Sequence, residues 1–172
     1  MTLLRAQQAD ITTIEVEVIV NAANRSLRGG GGVDGAIHRA AGPELLQACV
    51  AIGGCDTGDA KLTPGYRLPA RFVIHTVGPM WNGGKQGEDA LLASCYRRSL
   101  ELAHQHALKS IAFPCISTGI YSYPAASAAD IAVSTVSNWI QQQTTAFSEI
   151  VFCCFSSQDL KLYQKLLGPV ER

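Results

Sequence analysis

The stretch VIVNAANRSLRGGGGVDGAIH, residues 18–38, decides the fold of this chain. Its apolar start predicts a strand covered on both faces, and its glycine run leads into a helix that we expect to begin near Asp34 or Gly35. Glycine lets backbone amides converge on an anion, and the amino end of a helix adds partial positive charge. This order of elements predicts an anion-binding loop, and a flexible surface linker is the alternative interpretation of the glycines.

The stretch IAFPCISTGIYSYP, residues 111–124, repeats the same order of elements. A buried strand ends there, Ser117, Thr118 and Gly119 offer small side chains and backbone amides, and Pro124 suits the first turn of a helix. Open α/β sheets bind ligands at the carboxyl ends of their strands. Two such junctions in one small chain favour a diphosphate that is held from both sides.

Strand-like and helix-like segments alternate along the rest of the chain, which indicates an α/β fold with a mixed sheet between two layers of helices. No linker or internal repeat divides the chain, so we expect one domain over residues 1–172. The predicted strands cover residues 2–6, 16–22, 61–63, 72–77, 110–114 and 150–155, and the predicted helices cover residues 88–107, 125–142 and 160–167. The short helix after the glycines is expected to stop at Gly42 and Pro43.

The composition excludes several classes of partner. Fourteen basic and fourteen acidic side chains cancel, so we expect no direct binding to nucleic acid and none to a membrane. We expect no signal peptide, and no apolar run approaches the about 20 residues that span a bilayer. Six cysteines without Cys-x-x-Cys spacing predict reduced packing residues, no metal site and a cytoplasmic protein. Neutral charge and one compact core are compatible with a monomer.

Two common nucleotide motifs fit the glycine run poorly. Gly30, Gly32 and Gly35 match the dinucleotide fingerprint in spacing, but residues 24–29 separate them from the strand that the motif should follow directly. No Gly-Lys-Ser/Thr follows the glycines, which argues against a Walker loop. The sequence also offers no convincing Ser-His-Asp or Cys-His nucleophile set.

Several polar residues near these junctions allow two interpretations. Asp34 is either a helix N-cap or a working carboxylate. Asn21 and Asn24 either form turns or recognise ribose hydroxyls, since an amide side chain both donates and accepts. His75 lies in an apolar strand and is expected to be a core histidine. The role of His38, one turn beyond Asp34, is ambiguous from the sequence.

Four blocks of the chain together resemble a known family. They are Ile19-Val-Asn-Ala-Ala-Asn24, the block from Gly29 to Gly42, Val73-Ile-His-Thr-Val-Gly-Pro79 and Ile116-Ser-Thr-Gly-Ile-Tyr121. They resemble a MacroD-type macrodomain, and the chain is similar to the bacterial O-acetyl-ADP-ribose deacetylases of that group over nearly its whole length. The resemblance implies a three-layer α/β/α fold with a mixed sheet of about six strands. It also implies a cofactor-independent hydrolase that deacetylates O-acetyl-ADP-ribose, with removal of ADP-ribose from acidic side chains of modified proteins as a further activity.

The resemblance also assigns residues to the ADP-ribose cleft. Asp10 and Ile11 would contact the adenine, Asn24 would hold the distal ribose hydroxyls, and Asp34 would accept the proton. The remaining implied contacts to the diphosphate and distal ribose are Gly32, Val33, Ser117, Thr118, Gly119, Ile120 and Tyr121.

The chain departs from the family pattern at three positions. Ala9 and Ser122 stand where glycine is usual, and Asp56 stands where proline is common. We expect Ala9 to cost more if its φ angle is positive, and Ser122 to stiffen its loop. None of the three replaces Asn24 or Asp34, so the expected activity is unchanged.

Two other functions stay open at this point. One is a module that binds ADP-ribose marks without catalysis. Such a module would be distinguished by the absence of the asparagine and aspartate pair, and this chain has both Asn24 and Asp34. The other is a generic nucleotide- or NAD-binding oxidoreductase.

Overall fold

The structure is a computed structural model, and it describes residues 2–168. The strands are β1 (Leu3–Gln8), β2 (Val18–Ala22), β3 (Ala60–Pro64), β4 (Phe72–Thr76), β5 (Ser110–Phe113) and β6 (Glu149–Cys154). The helices are α1 (Gly32–Ala41), α2 (Pro43–Ile52), α3 (Glu88–Gln105), α4 (Ala125–Gln142) and α5 (Ser157–Leu167), with a 3-10 turn at Ile11–Thr13. The first residue and the last four residues of the predicted domain lie outside the described part.

The six strands form one sheet in the order β1-β6-β5-β2-β4-β3. Strand β3 pairs antiparallel with β4, and the other neighbouring pairs are parallel. The sheet is therefore mixed, as predicted. Since β1, β6, β5, β2 and β4 run the same way, their carboxyl ends share one edge of the sheet, where ligands bind in folds of this kind.

Helices cover both faces of the sheet. Val18 and Val20 of β2 pack with buried residues of α3, α4 and α5, whereas Ile19 between them packs with buried residues of α1 and α2. Successive strand side chains point to opposite faces, so the two sets of helices lie on opposite sides. All three β2 side chains are at most 1 % exposed, which explains the unbroken apolar run in the sequence. The three-layer α/β/α prediction is confirmed.

The predicted elements differ from the observed ones mainly around α1 and α2. Helix α1 begins at Gly32, earlier than the predicted Asp34 or Gly35, because its N-cap is Gly31 rather than a polar side chain. Helix α2 was not predicted. Gly42 ends α1 with a φ of +90°, as expected, but Pro43 also opens the next helix, because proline is well suited to a first helical position.

Residues 2–168 contain neither a membrane-spanning helix nor a disulfide bond. No helix there is long and apolar enough to cross a membrane. All six cysteines are free, and five of them are buried. In the same part of the chain, no cluster of histidine, cysteine, aspartate or glutamate is arranged to hold a metal ion.

Candidate functional site

The two predicted loops lie side by side at the carboxyl edge of the sheet. The glycine loop (residues 29–31) follows β2 and precedes α1, and the serine loop (residues 114–124) joins β5 to α4. Strands β2 and β5 are parallel neighbours, so both loops leave the sheet at the same edge. A Cβ atom built on Gly31 would lie 4.0 Å from Cδ1 of Ile120, which places the two loops across a narrow cleft.

The glycine loop and the start of α1 need glycine, at some positions for a positive φ angle and at one for lack of space. Gly29 has a φ of +87° and Gly32 a φ of +58°, a region that other residues rarely adopt. A Cβ atom on Gly35 would lie 2.4 Å from the carbonyl oxygen of Gly30. Gly32, Val33 and Asp34 are the first three residues of α1, so their amides have no acceptor within the helix. This is the arrangement that binds anions at helix amino ends.

The serine loop uses its carbonyl groups for structure and leaves amides for a ligand. The Ser117 carbonyl accepts a hydrogen bond from the amide of Tyr123 at 2.9 Å, and the Tyr121 carbonyl accepts one from the amide of Trp81 at 2.8 Å. Within residues 2–168, the amides of residues 118–121 donate to no other protein group. Gly119 and Ile120 are exposed, whereas the hydroxyl of Thr118 bonds to the Cys115 carbonyl at 3.1 Å.

The left-handed backbone of the serine loop depends on its neighbours. Ser117 has a φ of +68°, and its buried hydroxyl has no hydrogen-bond partner among the described residues. A Cβ atom on Gly78 would lie 2.1 Å from that hydroxyl, so the glycine of the 73–79 block makes room for the loop. Ser122 also has a positive φ, +60°, which agrees with its standing where glycine is usual. Ala9 does not have a positive φ, so the expected cost at that position does not arise.

Asp34 is a buried carboxylate beside the glycine loop. Only 8 % of its side chain is exposed, and its Oδ1 accepts a hydrogen bond of 2.8 Å from Nδ2 of Asn21. It lies in the first turn of α1 and does not cap the helix, so the N-cap interpretation is wrong. Burial raises the pKa of Asp34, while the Asn21 hydrogen bond and the nearby His38 act in the opposite direction. His38 Nε2 is 3.4 Å from Asp34 Oδ1.

A chain of buried polar groups extends from Asp34 into the sheet. Asn21 Nδ2 also contacts Nδ1 of His75 at 3.1 Å, and His75 Nε2 lies 3.0 Å from Oγ1 of Thr63. Because the Asn21 amide donates to Nδ1, the imidazole proton must reside on Nε2 and point to Thr63. Burial lowers the pKa of His75 to about 3, so the ring is neutral.

These buried polar contacts decide how His75 and Asn21 are interpreted. His75 is a core histidine, as predicted. It also accepts a hydrogen bond from the Asn21 amide, the group that donates to Asp34. Asn21 neither forms a turn nor faces the cleft; it is fully buried and orients Asp34. The register of the sheet, which pairs Asn21 with His75 on adjacent strands, could not be read from the sequence.

Asn24 shapes the approach to the glycine loop. Its Oδ1 accepts hydrogen bonds from the Ser26 hydroxyl at 2.7 Å and the Leu27 amide at 3.0 Å, so it does form a turn. Its Nδ2 donates to the Gly29 carbonyl at 2.8 Å, which leaves one amide hydrogen. A Cβ atom on Gly30 would lie 3.5 Å from this nitrogen and 3.3 Å from Asp34 Oδ2. Asn24 and Asp34 therefore flank the same glycine.

The other end of the carboxyl edge carries Asp10, Ile11 and an aromatic residue that the sequence pattern did not reveal. Asp10 is exposed, and its Oδ1 caps the 3-10 turn by accepting from the Thr12 amide at 3.0 Å. The Ile11 side chain is buried, so only its backbone can meet a ligand. Phe155 follows β6 and is 91 % exposed. The Ala9 amide bonds to the Cys154 carbonyl at 3.1 Å, which brings Phe155 close to Asp10.

Comparison with known proteins identifies the family. A family model described as Macro domain matches residues 20–132, which include the glycine loop, the serine loop and all of α1. The chain belongs to the macro domain family. The family prediction is thereby confirmed.

Named relatives of this macrodomain include two hydrolases. An O-acetyl-ADP-ribose deacetylase of Escherichia fergusonii is 56 % identical over 164 residues, covering 93 % of this chain and 92 % of that protein. The ADP-ribose glycohydrolase MACROD2 of Homo sapiens is 54 % identical over 164 residues, covering 94 % of this chain and 38 % of the human protein. A Trypanosoma brucei macrodomain solved in complex with ADP-ribose matches with a TM-score of 0.91 and 43 % identity, over 96 % of this chain and 69 % of that one.

Proposed function

We propose that this macrodomain is a hydrolase that binds ADP-ribose derivatives, deacetylates O-acetyl-ADP-ribose and removes ADP-ribose from acidic side chains. The observation that carries the proposal is the buried carboxylate of Asp34. It is oriented by Asn21 and lies beside Asn24, next to two loops with unused amides. The similarity to an O-acetyl-ADP-ribose deacetylase and to an ADP-ribose glycohydrolase supports both reactions.

The ligand would lie along the carboxyl edge of the sheet. Its diphosphate would accept hydrogen bonds from the amides of Gly32 and Val33 on one side and of residues 117–121 on the other. Its distal ribose would meet Asn24 and Asp34. The adenine would reach Asp10 and the Ile11 backbone, with Phe155 offering a flat aromatic face to the base. No net positive charge is needed, because backbone amides supply the partial charges.

The chemistry follows from the position of Asp34. Its carboxylate accepts a proton from a water molecule, and that water attacks the acetyl carbonyl carbon. The ester C–O bond then breaks, acetate leaves, and the ribose oxygen receives the proton. For an ADP-ribosylated side chain, the water attacks the anomeric carbon and the side-chain carboxylate leaves. Positioned proton transfer is typically worth about 10²–10⁴-fold in rate.

A module that binds ADP-ribose without catalysis is the second candidate function. Such a module gains nothing from burying a carboxylate, since burial disfavours the charged form and raises its pKa. A carboxylate in a cleft whose pKa is raised by burial is a candidate catalytic group. We therefore favour the hydrolase. Calorimetry with ADP-ribose and with NAD tests the oxidoreductase alternative, because the nicotinamide would have to fit beside Asn24 and Asp34.

Asp34→Ala tests the proposed activity. We expect its turnover of O-acetyl-ADP-ribose to fall at least about 10²-fold, while calorimetry shows that much of the affinity for ADP-ribose remains. Asp130→Ala is the matched control, because Asp130 is exposed on α4. An Asp34→Ala enzyme that turns over as fast as the parent would show that Asp34 is not the base.

We also propose that the protein is a monomer in a bacterial cytoplasm. The free cysteines, five of them buried, support a reducing compartment. Light scattering during gel filtration measures the oligomeric state, and fractionation of the source cells measures the location. A dimer mass or a secreted fraction would contradict these two points.

A further inference from the structure

A cavity on the outer side of the glycine loop is not used by the proposed reaction. It has a volume of about 330 Å³ and opens between the glycine loop, α1 and the start of α2. It is lined by Arg28, Gly29, Gly30, Gly35, His38, Arg39, Gly42, Pro43 and Leu46. The lining contains two arginines and a histidine but no carboxylate.

The cavity is locally cationic in a chain whose charges cancel overall. Arg28 and Arg39 are both exposed. Arg67 adds a third guanidinium at the rim, since its Nε lies 3.1 Å from where a Cβ atom on Gly42 would be. Over residues 2–168, none of these three arginines is in an ion pair with an acidic side chain. Their charge is therefore available to an anionic partner.

The cavity also borders the reacting groups. Gly30 lines it, and a Cβ atom on that residue would lie 3.3 Å from Asp34 Oδ2. His38 lines it as well, with Nε2 only 3.4 Å from Asp34 Oδ1. Gly30 therefore lies between the cavity and the Asp34 carboxylate. With the distal ribose at Asn24 and Asp34 as proposed, an occupant of this cavity would lie beside the bond that breaks.

We propose that this arginine cavity binds acidic side chains of the polypeptide that carries the ADP-ribosyl group. The inference rests on the proposed function, in which the group leaving the anomeric carbon is a side-chain carboxylate of a protein. Acidic residues flanking that carboxylate would pair with Arg28 and Arg39. Leu46, which is 40 % exposed at the same cavity, would contact apolar parts of the same peptide. O-acetyl-ADP-ribose has no polypeptide and would leave the cavity empty.

The test compares three substrates with the double variant R28E/R39E. The substrates are O-acetyl-ADP-ribose, a peptide with one ADP-ribosylated glutamate flanked by aspartate and glutamate, and the same peptide flanked by lysine. We expect KM for the acid-flanked peptide to rise about 10-fold, since exposed charge pairs are individually weak and reversal adds repulsion. The kcat for that peptide and both constants for O-acetyl-ADP-ribose should stay within about twofold. The lysine-flanked peptide should bind the variant no worse than the parent.

The control variant K161E/K165E makes the same charge change at two exposed lysines of α5 that form no ion pair within residues 2–168, and α5 lies on the opposite face of the sheet from α1 and α2. It should leave all three substrates unaffected, and circular dichroism melting checks that both variants fold. Rising salt should raise the parental KM for the acid-flanked peptide only, because salt screens exposed charges.

Three results would overturn the proposal or its basis, and they are distinguishable. An unchanged KM for the acid-flanked peptide in R28E/R39E means that the arginines do not bind it. An equal rise for O-acetyl-ADP-ribose means that they serve the nucleotide. If the parent hydrolyses none of the substrates, the proposed function fails. Fluorescence anisotropy of the labelled peptides then still measures whether acidic flanks bind the cavity.

Discussion

Replacing Asn21 by leucine should uncouple Asp34 from the sheet without emptying the space that Asn21 fills. Asn21 is fully buried and donates to both Asp34 Oδ1 and His75 Nδ1. Leucine has the same branching at Cγ and is somewhat larger, so it fills the space, but it has no donor, and two buried acceptors lose their partner together. Each such loss costs about 1–3 kcal/mol. We expect the free energy of unfolding to fall by about 2–4 kcal/mol, since larger effects of single substitutions are exceptional.

The same substitution should move the pH profile of the reaction. The Asn21 hydrogen bond holds the pKa of Asp34 down against the effect of burial, so its removal lets the pKa rise further. A general base works only when deprotonated, so the acidic limb of kcat/KM should shift to higher pH. A merely destabilised but unaltered site would lower the amount of folded enzyme and leave that limb in place.

Urea unfolding and the pH dependence of kcat/KM with O-acetyl-ADP-ribose measure the two effects of Asn21→Leu. Asn138→Leu is the matched control, because Asn138 lies on α4, away from the cleft, and it should change the free energy of unfolding by no more than about 0.5 kcal/mol. An Asn21→Leu protein with parental stability and a parental acidic limb would refute the idea that Asn21 orients Asp34.

Two further substitutions test the site through stability. Asp34→Asn should raise the free energy of unfolding near pH 8, because burial raises the pKa of Asp34 in the folded protein and the charged carboxylate therefore costs stability above that pKa. This gain in stability should shrink as the pH falls towards the unfolded pKa of about 3.9. Equal stabilities of the variant and the parent at pH 8 would contradict the prediction. Gly35→Ala would place a Cβ atom 2.4 Å from the Gly30 carbonyl oxygen, so urea unfolding should show a loss of about 1–3 kcal/mol despite the better helix propensity of alanine. Gly119→Ala, whose Cβ atom meets nothing within 4 Å, is the control. If Gly35→Ala is as stable as that control, the backbone of the glycine loop can move to make room for the side chain.

The local parts of the fold could be predicted from the sequence because their causes are local. Strand β2 begins with the apolar run Val18–Val20, since both of its faces are covered. Helix α4 was predicted with the bounds that the structure has, because its apolar stripe repeats at helical spacing and Pro124 precedes it. Helix α2 was missed because Gly42 and Pro43 stop one helix and start the next within two residues. A glycine followed by proline predicts where one helix ends but does not show which element follows.

The candidate site could be predicted only where neighbouring residues define it. The glycines and Asp34 stand within one short stretch, so an anion loop with a nearby carboxylate was visible in the sequence. The partners of Asp34 depend on strand order and register, which bring Asn21 of β2 beside His75 of β4. Phe155 was missed for a similar reason. It stands beside Asp10 only because β6 pairs with β1, the strand most distant from it in sequence.

The buried polar chain shows how Asp34 can be buried and still act as the general base that we propose. A carboxylate shielded from water is a stronger base, but burial also favours its neutral form, which accepts no proton from water. One well-placed donor offsets part of that cost. Asn21 can be that donor only if its amide is held, and the neutral ring of His75 holds it by accepting the second hydrogen. If His75 were charged, Nδ1 would be a donor and would repel the amide. The low pKa of His75, about 3, therefore keeps the ring neutral and able to accept from Asn21 over the whole physiological pH range.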